Sequence, residues 1–171
     1  MTDIFCKIIK GEIPSYTCYE DEYVKCIMDA NPETIGHTLI IPKKHFTDII
    51  EMDNETIIHI HETAQMLIKK MEKVYPNLVG VRTIVNYGVL QVVKHYHLHL
   101  VPAYKDYKEP ELTQEEMCKL LKDTNQWLMS FSMQCSLKIL YFLNKVQYIY
   151  HNIQLIFYLY YLILPHLFLN Q

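Results

Sequence analysis

The chain predicts an α+β domain, and three features point there. Short runs rich in β-branched and aromatic residues recur between residues 16 and 102. Two longer segments repeat apolar residues at three- and four-residue spacing. Between Lys94 and Pro102, histidine alternates with apolar or aromatic residues as His95-Tyr-His97-Leu-His99-Leu. Side chains on a strand alternate faces, so the three imidazoles would share one side, neighbours about 7 Å apart, while Tyr96, Leu98 and Leu100 enter a core.

Each element has its own signal. Ile4 to Lys10 reads as a short apolar helix or turn, closed by Gly11-Glu-Ile-Pro14. Tyr16–Glu20 and Tyr23–Met28 read as strands joined through an acidic turn, and Asp29-Ala-Asn-Pro-Glu33 breaks the pattern. Thr38–Pro42 reads as a buried strand because Leu39, Ile40 and Ile41 are continuously apolar. From Asn54 to Val74, Ile57, Ile60, Ala64, Leu67, Met71 and Val74 keep a helical period, with Asp53 or Asn54 as cap and Pro76 as stop. His59 and His61 fall on different faces of that helix and read as surface or rim residues. Val81–Val85 and Val92–Pro102 read as two strands linked through Asn86-Tyr-Gly88. Thr113-Gln-Glu-Glu116 is a capping-box signature that opens a last helix to about Leu128.

The chain has 171 residues, which fits one domain (1–128) followed by an extension (129–171). A formal net charge of −3 supplies no basic field for nucleic acid. The five cysteines form no CxxC pair, which favours a reducing compartment over a disulfide framework. Met1 to Lys7 lacks a basic leader followed by an apolar stretch, so the expectation is cytoplasmic or nuclear. Residues 146–171 contain no Lys, Arg, Asp or Glu, and Ile153–Leu169 is nearly unbroken apolar sequence at the lower edge of a membrane span. Pro165, His166 and the lack of a flanking basic cluster weigh against an anchor. Three readings stay open for this extension: a tail anchor, a buried extension, and sequence not selected as protein.

The histidine row has two chemical readings. Neutral imidazole is a good zinc ligand, but three alternating positions span too far for one ion, and neither HExxH nor a paired CxxC accompanies them. Catalysis explains the row better. A central imidazole attacks phosphorus if its far nitrogen is held by an acceptor, while its neighbours donate to phosphate oxygens or a leaving group. Nearby polar groups must hold the phosphate charge, and Asn86 and Gln91 are close in sequence.

The run His95-Tyr-His97-Leu-His99-Leu-Val resembles the His-φ-His-φ-His-φ-φ signature of the histidine triad (HIT) superfamily. Ile4 to Pro14, Tyr19-Glu-Asp21, Met28 to Pro32 and Gly36 to His45 resemble its Hint branch in order and spacing, over about residues 3–104. The resemblance implies a HIT fold: an antiparallel sheet of about five strands with two main helices, usually in a homodimer. It implies hydrolysis of purine nucleoside 5′-phosphoramidates to a nucleoside monophosphate. The alternatives are a dinucleoside polyphosphate hydrolase and a non-catalytic nucleotide sensor or scaffold. By the same resemblance His97 is the nucleophile, His99 contacts the α-phosphate, and His95 and His37 support them in a hydrogen-bond relay. Asp29 binds the ribose hydroxyls, Phe5, Ile8 and Ile27 flank the base, and Asn86 lies on the phosphate side. Gln91 joins that substrate-binding set.

The chain departs from that pattern in three places. Leu90 and Val92 stand beside Gln91 where many relatives carry a glycine and a serine, which removes one hydroxyl contact to phosphate. Lys94 resembles the dinucleoside-polyphosphate branch. Some relatives bind structural zinc through CxxC and two histidines; here the corresponding set is Asp3, Cys6, His45 and His95, in which oxygen replaces one sulfur. The expected chemistry requires no cofactor, and the expectation for structural zinc is against occupancy.

Overall fold

A computed structural model of the protein describes residues 3–123. Helix α1 (Ile4–Ile9) precedes strands β1 (Thr17–Glu20), β2 (Val24–Met28) and β3 (Thr38–Pro42). Helix α2 (Asn54–Val74), strands β4 (Leu78–Val85) and β5 (Leu98–Tyr104) and helix α3 (Gln114–Lys122) follow. The strands form one five-stranded sheet in the order β1-β2-β3-β5-β4, with every neighbouring pair antiparallel.

Helix starts follow from capping. The Asp53 side chain accepts from the Thr56 N–H at 2.8 Å and starts α2, and Thr113 and Glu116 complete a reciprocal capping box on α3. The expected course of α3 beyond Asp123, the extension 129–171 and the apolar run Ile153–Leu169 lie outside the described residues. Among the described residues, no helix is long and apolar enough to cross a membrane.

The sheet buries both faces, unequally. One face packs with α2 and α3 in the larger core, which includes Ile40, Leu98, Leu100, Ile60, Leu67, Met71, Met117 and Leu121. The other carries a smaller cluster of Ile27, Leu39 and Ile41 with Phe5 and Ile8 of α1. Period-two alternation on β3 and β5 therefore sends Leu39 and His99, which pair directly, to the side of α1.

Two strands run well off their expected bounds. Strand β4 begins three residues before Val81, at Leu78. The expected strand Val92–Pro102 is regular only from Leu98, and it continues to Tyr104. Before Leu98 the chain bonds outside the ladder: the Tyr96 N–H donates to Phe46 O at 2.7 Å. Pro102 is accommodated in β5 because its carbonyl points away from β4 and accepts from the Thr34 hydroxyl at 2.7 Å. Its missing N–H falls on that same side, where the β3 pairing has already ended at Leu100.

His59 is more than a rim residue. Its Nε2 lies 2.8 Å from the Asp21 carboxylate, and its ring packs on Tyr23 with centroids 4.7 Å apart, tying the β1–β2 turn to α2.

Candidate active site

Five of the expected polar residues converge where the β2–β3 loop, the end of β4 and the start of β5 meet. Asp29 follows β2, His37 precedes β3, Asn86 follows β4, and His97 and His99 straddle the start of β5. The His37 and His99 rings meet through Nε2 and Nδ1 at 3.0 Å, and the Asn86 side-chain amide lies 3.2 Å from His99 Nε2.

The backbone decides where the protons sit. The Glu33 N–H donates to His37 Nδ1 at 3.1 Å, so neutral His37 carries its proton on Nε2 and donates to His99 Nδ1. His99 then carries its proton on Nε2. A backbone N–H cannot reverse its role, whereas the Asn86 amide turns its oxygen toward that proton by rotating about χ2. The result is a directional chain from Glu33 through His37 to His99. Burial lowers the pKa of His37 and lowers that of His99 to about 4, with His97 and His37 adding to the effect on His99.

His97 is oriented separately. Its Nδ1–H donates to the His95 carbonyl at 2.7 Å, which leaves the lone pair on Nε2. Burial also pushes His97 below the usual imidazole range, so the ring is neutral near pH 7. Phe5 and His99 pack edge-on against it, with centroids 5.0 and 4.7 Å away. An unprotonated, oriented imidazole nitrogen beside an N–H donor is suited to nucleophilic attack on a phosphoryl group.

Asp29 uses one carboxylate oxygen to accept from the Asn31 N–H at 2.9 Å, and holds the other 3.6 Å from His37 Nδ1. Phe5, Ile8 and Ile27 are brought together, all buried in the smaller cluster. Gln91 sits apart from this polar group. Its amide nitrogen donates to Thr47 O at 2.6 Å and Val93 O at 3.0 Å, fastening the loop before the histidine run. Leu90 and Val92 are 72% and 92% exposed beside it, so neither supplies a polar contact.

The His95 side chain points elsewhere. Its Nε2–H donates to Pro42 O at 2.9 Å, so its Nδ1 lone pair faces Cys6 Sγ at 3.7 Å and Asp3 Oδ2 at 3.4 Å. His37 and His95, expected in one relay, thus bond to different groups. Asp3 Oδ2 also lies 3.2 Å from Cys6 Sγ and 3.1 Å from His45 Nε2, while Asp3 Oδ1 caps α1 at the Cys6 N–H. These separations approach the edges of a zinc tetrahedron, about 3.3–3.8 Å. The donor set Asp3, Cys6, His45 and His95 therefore fits a divalent cation once Cys6 and His45 Nε2 release protons. Asp29, His37 and His99 also cluster, but both nitrogens of His37 are engaged in the proton chain, so no lone pairs converge there.

Sequence reasoning missed the Glu33 N–H, because a main-chain donor leaves no mark in residue identity. It also took Gln114 only as part of a capping box. Gln114 accepts from the Gly36 N–H at 2.7 Å and donates to Asp29 O at 3.1 Å.

Comparisons with known proteins bear on the fold and the family. The model of the HIT domain family matches residues 10–106. An adenosine 5′-monophosphoramidase of Saccharomyces cerevisiae is 38% identical over 101 residues, covering 58% of this chain and 61% of that protein. An adenylylsulfatase of Arabidopsis thaliana is 35% identical over 101 residues, covering 58% of this chain and 51% of that one. A zinc-bound histidine triad family protein from Mycobacterium smegmatis superposes with a TM-score of 0.67 at 32% identity, covering 74% of this chain and 95% of that one. With its five-stranded antiparallel sheet and the His95–His99 run on β5 and its approach, the chain belongs to the HIT domain family.

Proposed function

We propose that the protein hydrolyses purine nucleoside 5′-phosphoramidates at the P–N bond, through a covalent nucleotidyl intermediate on His97. The observation that carries this reading is the 2.7 Å bond from His97 Nδ1–H to the His95 carbonyl, which aims the Nε2 lone pair outward. In the first step Nε2 bonds to the α-phosphorus, the P–N bond breaks, and the amine takes the Nε2 proton of His99, the charge left on that ring being offset by the imidazolium formed on His97. In the second step water attacks phosphorus and the P–Nε2 bond breaks. The proton lost by water returns to His99, and a nucleoside monophosphate leaves. Asp29 receives the ribose hydroxyls, as a carboxylate accepting from two O–H donors. The yeast relative, named as an adenosine 5′-monophosphoramidase, supports an amine leaving group. The Arabidopsis relative, named as an adenylylsulfatase, makes sulfate the second leaving group to test.

No metal takes part in these steps. The residues that would hold a structural zinc are Asp3, Cys6, His45 and His95; the ion would cross-link α1 to the loops around β3 and β5, and zinc content measured on the purified protein tests it. A homodimer is the matching proposal for assembly, supported by the edge position of β4, which among the described residues pairs with β5 alone and exposes Val79. A cytoplasmic location is supported by Cys6, Cys18, Cys26 and Cys118, which are free thiols among the described residues.

The deciding experiment is turnover of an adenosine 5′-phosphoramidate against adenylyl sulfate and diadenosine triphosphate, with acid quenching to trap adenylate on His97. Faster phosphoramidate turnover with trapped adduct is expected. Preference for diadenosine triphosphate would replace this reading, as would nucleotide binding without turnover of any of the three.

A further inference from the structure

Asp29 and His37 are carried by one loop, residues 29–37, which leaves β2 and returns to β3. Its two ends meet where the Asp29 N–H donates to His37 O at 2.9 Å, and a turn closes inside it where the His37 N–H donates to Thr34 O at 3.1 Å. Those bonds define the loop's shape, but not its placement on the domain. Placement comes from β4, where Arg82 pairs with Glu33, and from β5 and the chain after it. The Tyr104 hydroxyl donates to Ile35 O at 2.7 Å, and the Ile35 N–H donates to Glu109 at 2.8 Å.

Gln114, the first residue of α3, makes the most specific of these contacts. Its carbonyl oxygen accepts from the Gly36 N–H at 2.7 Å, and its amide N–H donates to the Asp29 carbonyl at 3.1 Å. One side chain thereby grips the main chain of the candidate ribose-binding residue and the peptide unit next to the relay histidine. The geometry leaves no slack at Gly36. Its φ is +80°, and a Cβ there would lie 2.7 Å from the Tyr75 ring. The residue type matters as well. The loop presents one N–H and one C=O, and an amide side chain answers both with one acceptor and one donor. A carboxylate would answer the first and set a second oxygen against the Asp29 carbonyl.

We propose that Gln114 is a positioning residue: it locks Asp29 and His37 into register, so that α3 sets how tightly the site grips the ribose. This rests on the assignment of Asp29 to the ribose hydroxyls made above. Gln114→Glu and Gln114→Met test it, with binding of AMP and of 2′,3′-dideoxy-AMP measured by calorimetry on the full chain. Lys119→Ala, which removes an exposed ion pair on the same helix, is the control.

Both Gln114 variants are expected to weaken AMP roughly tenfold, since a misplacement near 1 Å costs that much or more. They should change the dideoxy nucleotide less than about twofold, because the loss acts through the hydroxyl contacts. Combining Gln114→Met with Asp29→Asn should add little to Asp29→Asn alone. Equal weakening of both nucleotides by the two Gln114 variants, or binding unchanged from wild type, would overturn the positioning role. If the wild-type protein itself fails to prefer AMP over the dideoxy form, the ribose assignment of Asp29 falls instead, and this proposal with it. Should Gln114→Glu not fold, the neutral Gln114→Met decides the matter alone.

Discussion

Two histidine groups lie side by side in this molecule and are built on opposite principles. In the His37–His99 pair, the Glu33 N–H fixes the proton positions from one end, each nitrogen has a partner, and the rings form a chain with a direction. Around Asp3, Cys6, His45 and His95 the donor atoms converge on one point instead. His95 belongs to both regions: its side chain joins the convergent group, and its carbonyl orients the His97 ring. Imidazole chemistry is therefore decided by what the second nitrogen meets, and a linear arrangement suits proton transfer where a convergent one suits cation binding.

The largest effect expected from this contrast is at His97. His97→Ala should reduce turnover by about 10³-fold or more, with the melting temperature nearly kept; activity within tenfold of wild type would break the nucleophile assignment. Asp3→Ala acts on the other group. It removes the α1 cap, worth about 1 kcal/mol, and with it any tight zinc uptake, while the His97 Nδ1 bond to the His95 main chain remains. Lower thermal stability with modest change in kcat is the expected pattern. A loss of kcat as large as that of His97→Ala would show the two regions to be one unit.

Acid sharpens the same comparison. The unfolded chain takes up protons on these histidines near 6.5, whereas burial delays His99 to about 4 and also holds His37, His95 and His97 below 6.5. Between those values the unfolded state binds more protons, so the stability is complete above about pH 6.5 and falls as the pH drops toward about 4. Thermal melts across that window should show the decline, and His99→Gln should flatten it. The smallest effect is expected at Val92, which is 92% exposed: Val92→Ser places a hydroxyl beside Gln91 and should raise turnover roughly threefold, an outcome that steady-state assays on a phosphoramidate would check.

Much of this was legible in the chain because its signals are local. The helical period of 54–74, a cap at Asp53 or Asn54, the apolar run 38–42 and the Thr113 capping box each depend on near neighbours, and each element formed where the pattern placed it, with Asp53 as the cap. The histidine run was legible as chemistry but not as geometry. Alternation predicts three rings on one strand face, yet β5 begins only at Leu98, and bonds to Pro42 and Phe46 from elsewhere in the chain hold His95 and Tyr96 outside the ladder.

The sequence by itself determined most of the elements, the Thr113 capping box, and the family to which the spacing of His95, His97 and His99 belongs, because propensity and periodicity act over a few residues. Only the tertiary structure decided which ring meets which partner. The Glu33 N–H on His37, the His95 carbonyl on His97 and the reach of Gln114 across the fold are contacts between distant segments, made by groups that many sequences share. Proton position is set by such contacts rather than by residue identity. That is why residues alike in composition divide into a proton chain and a convergent cluster.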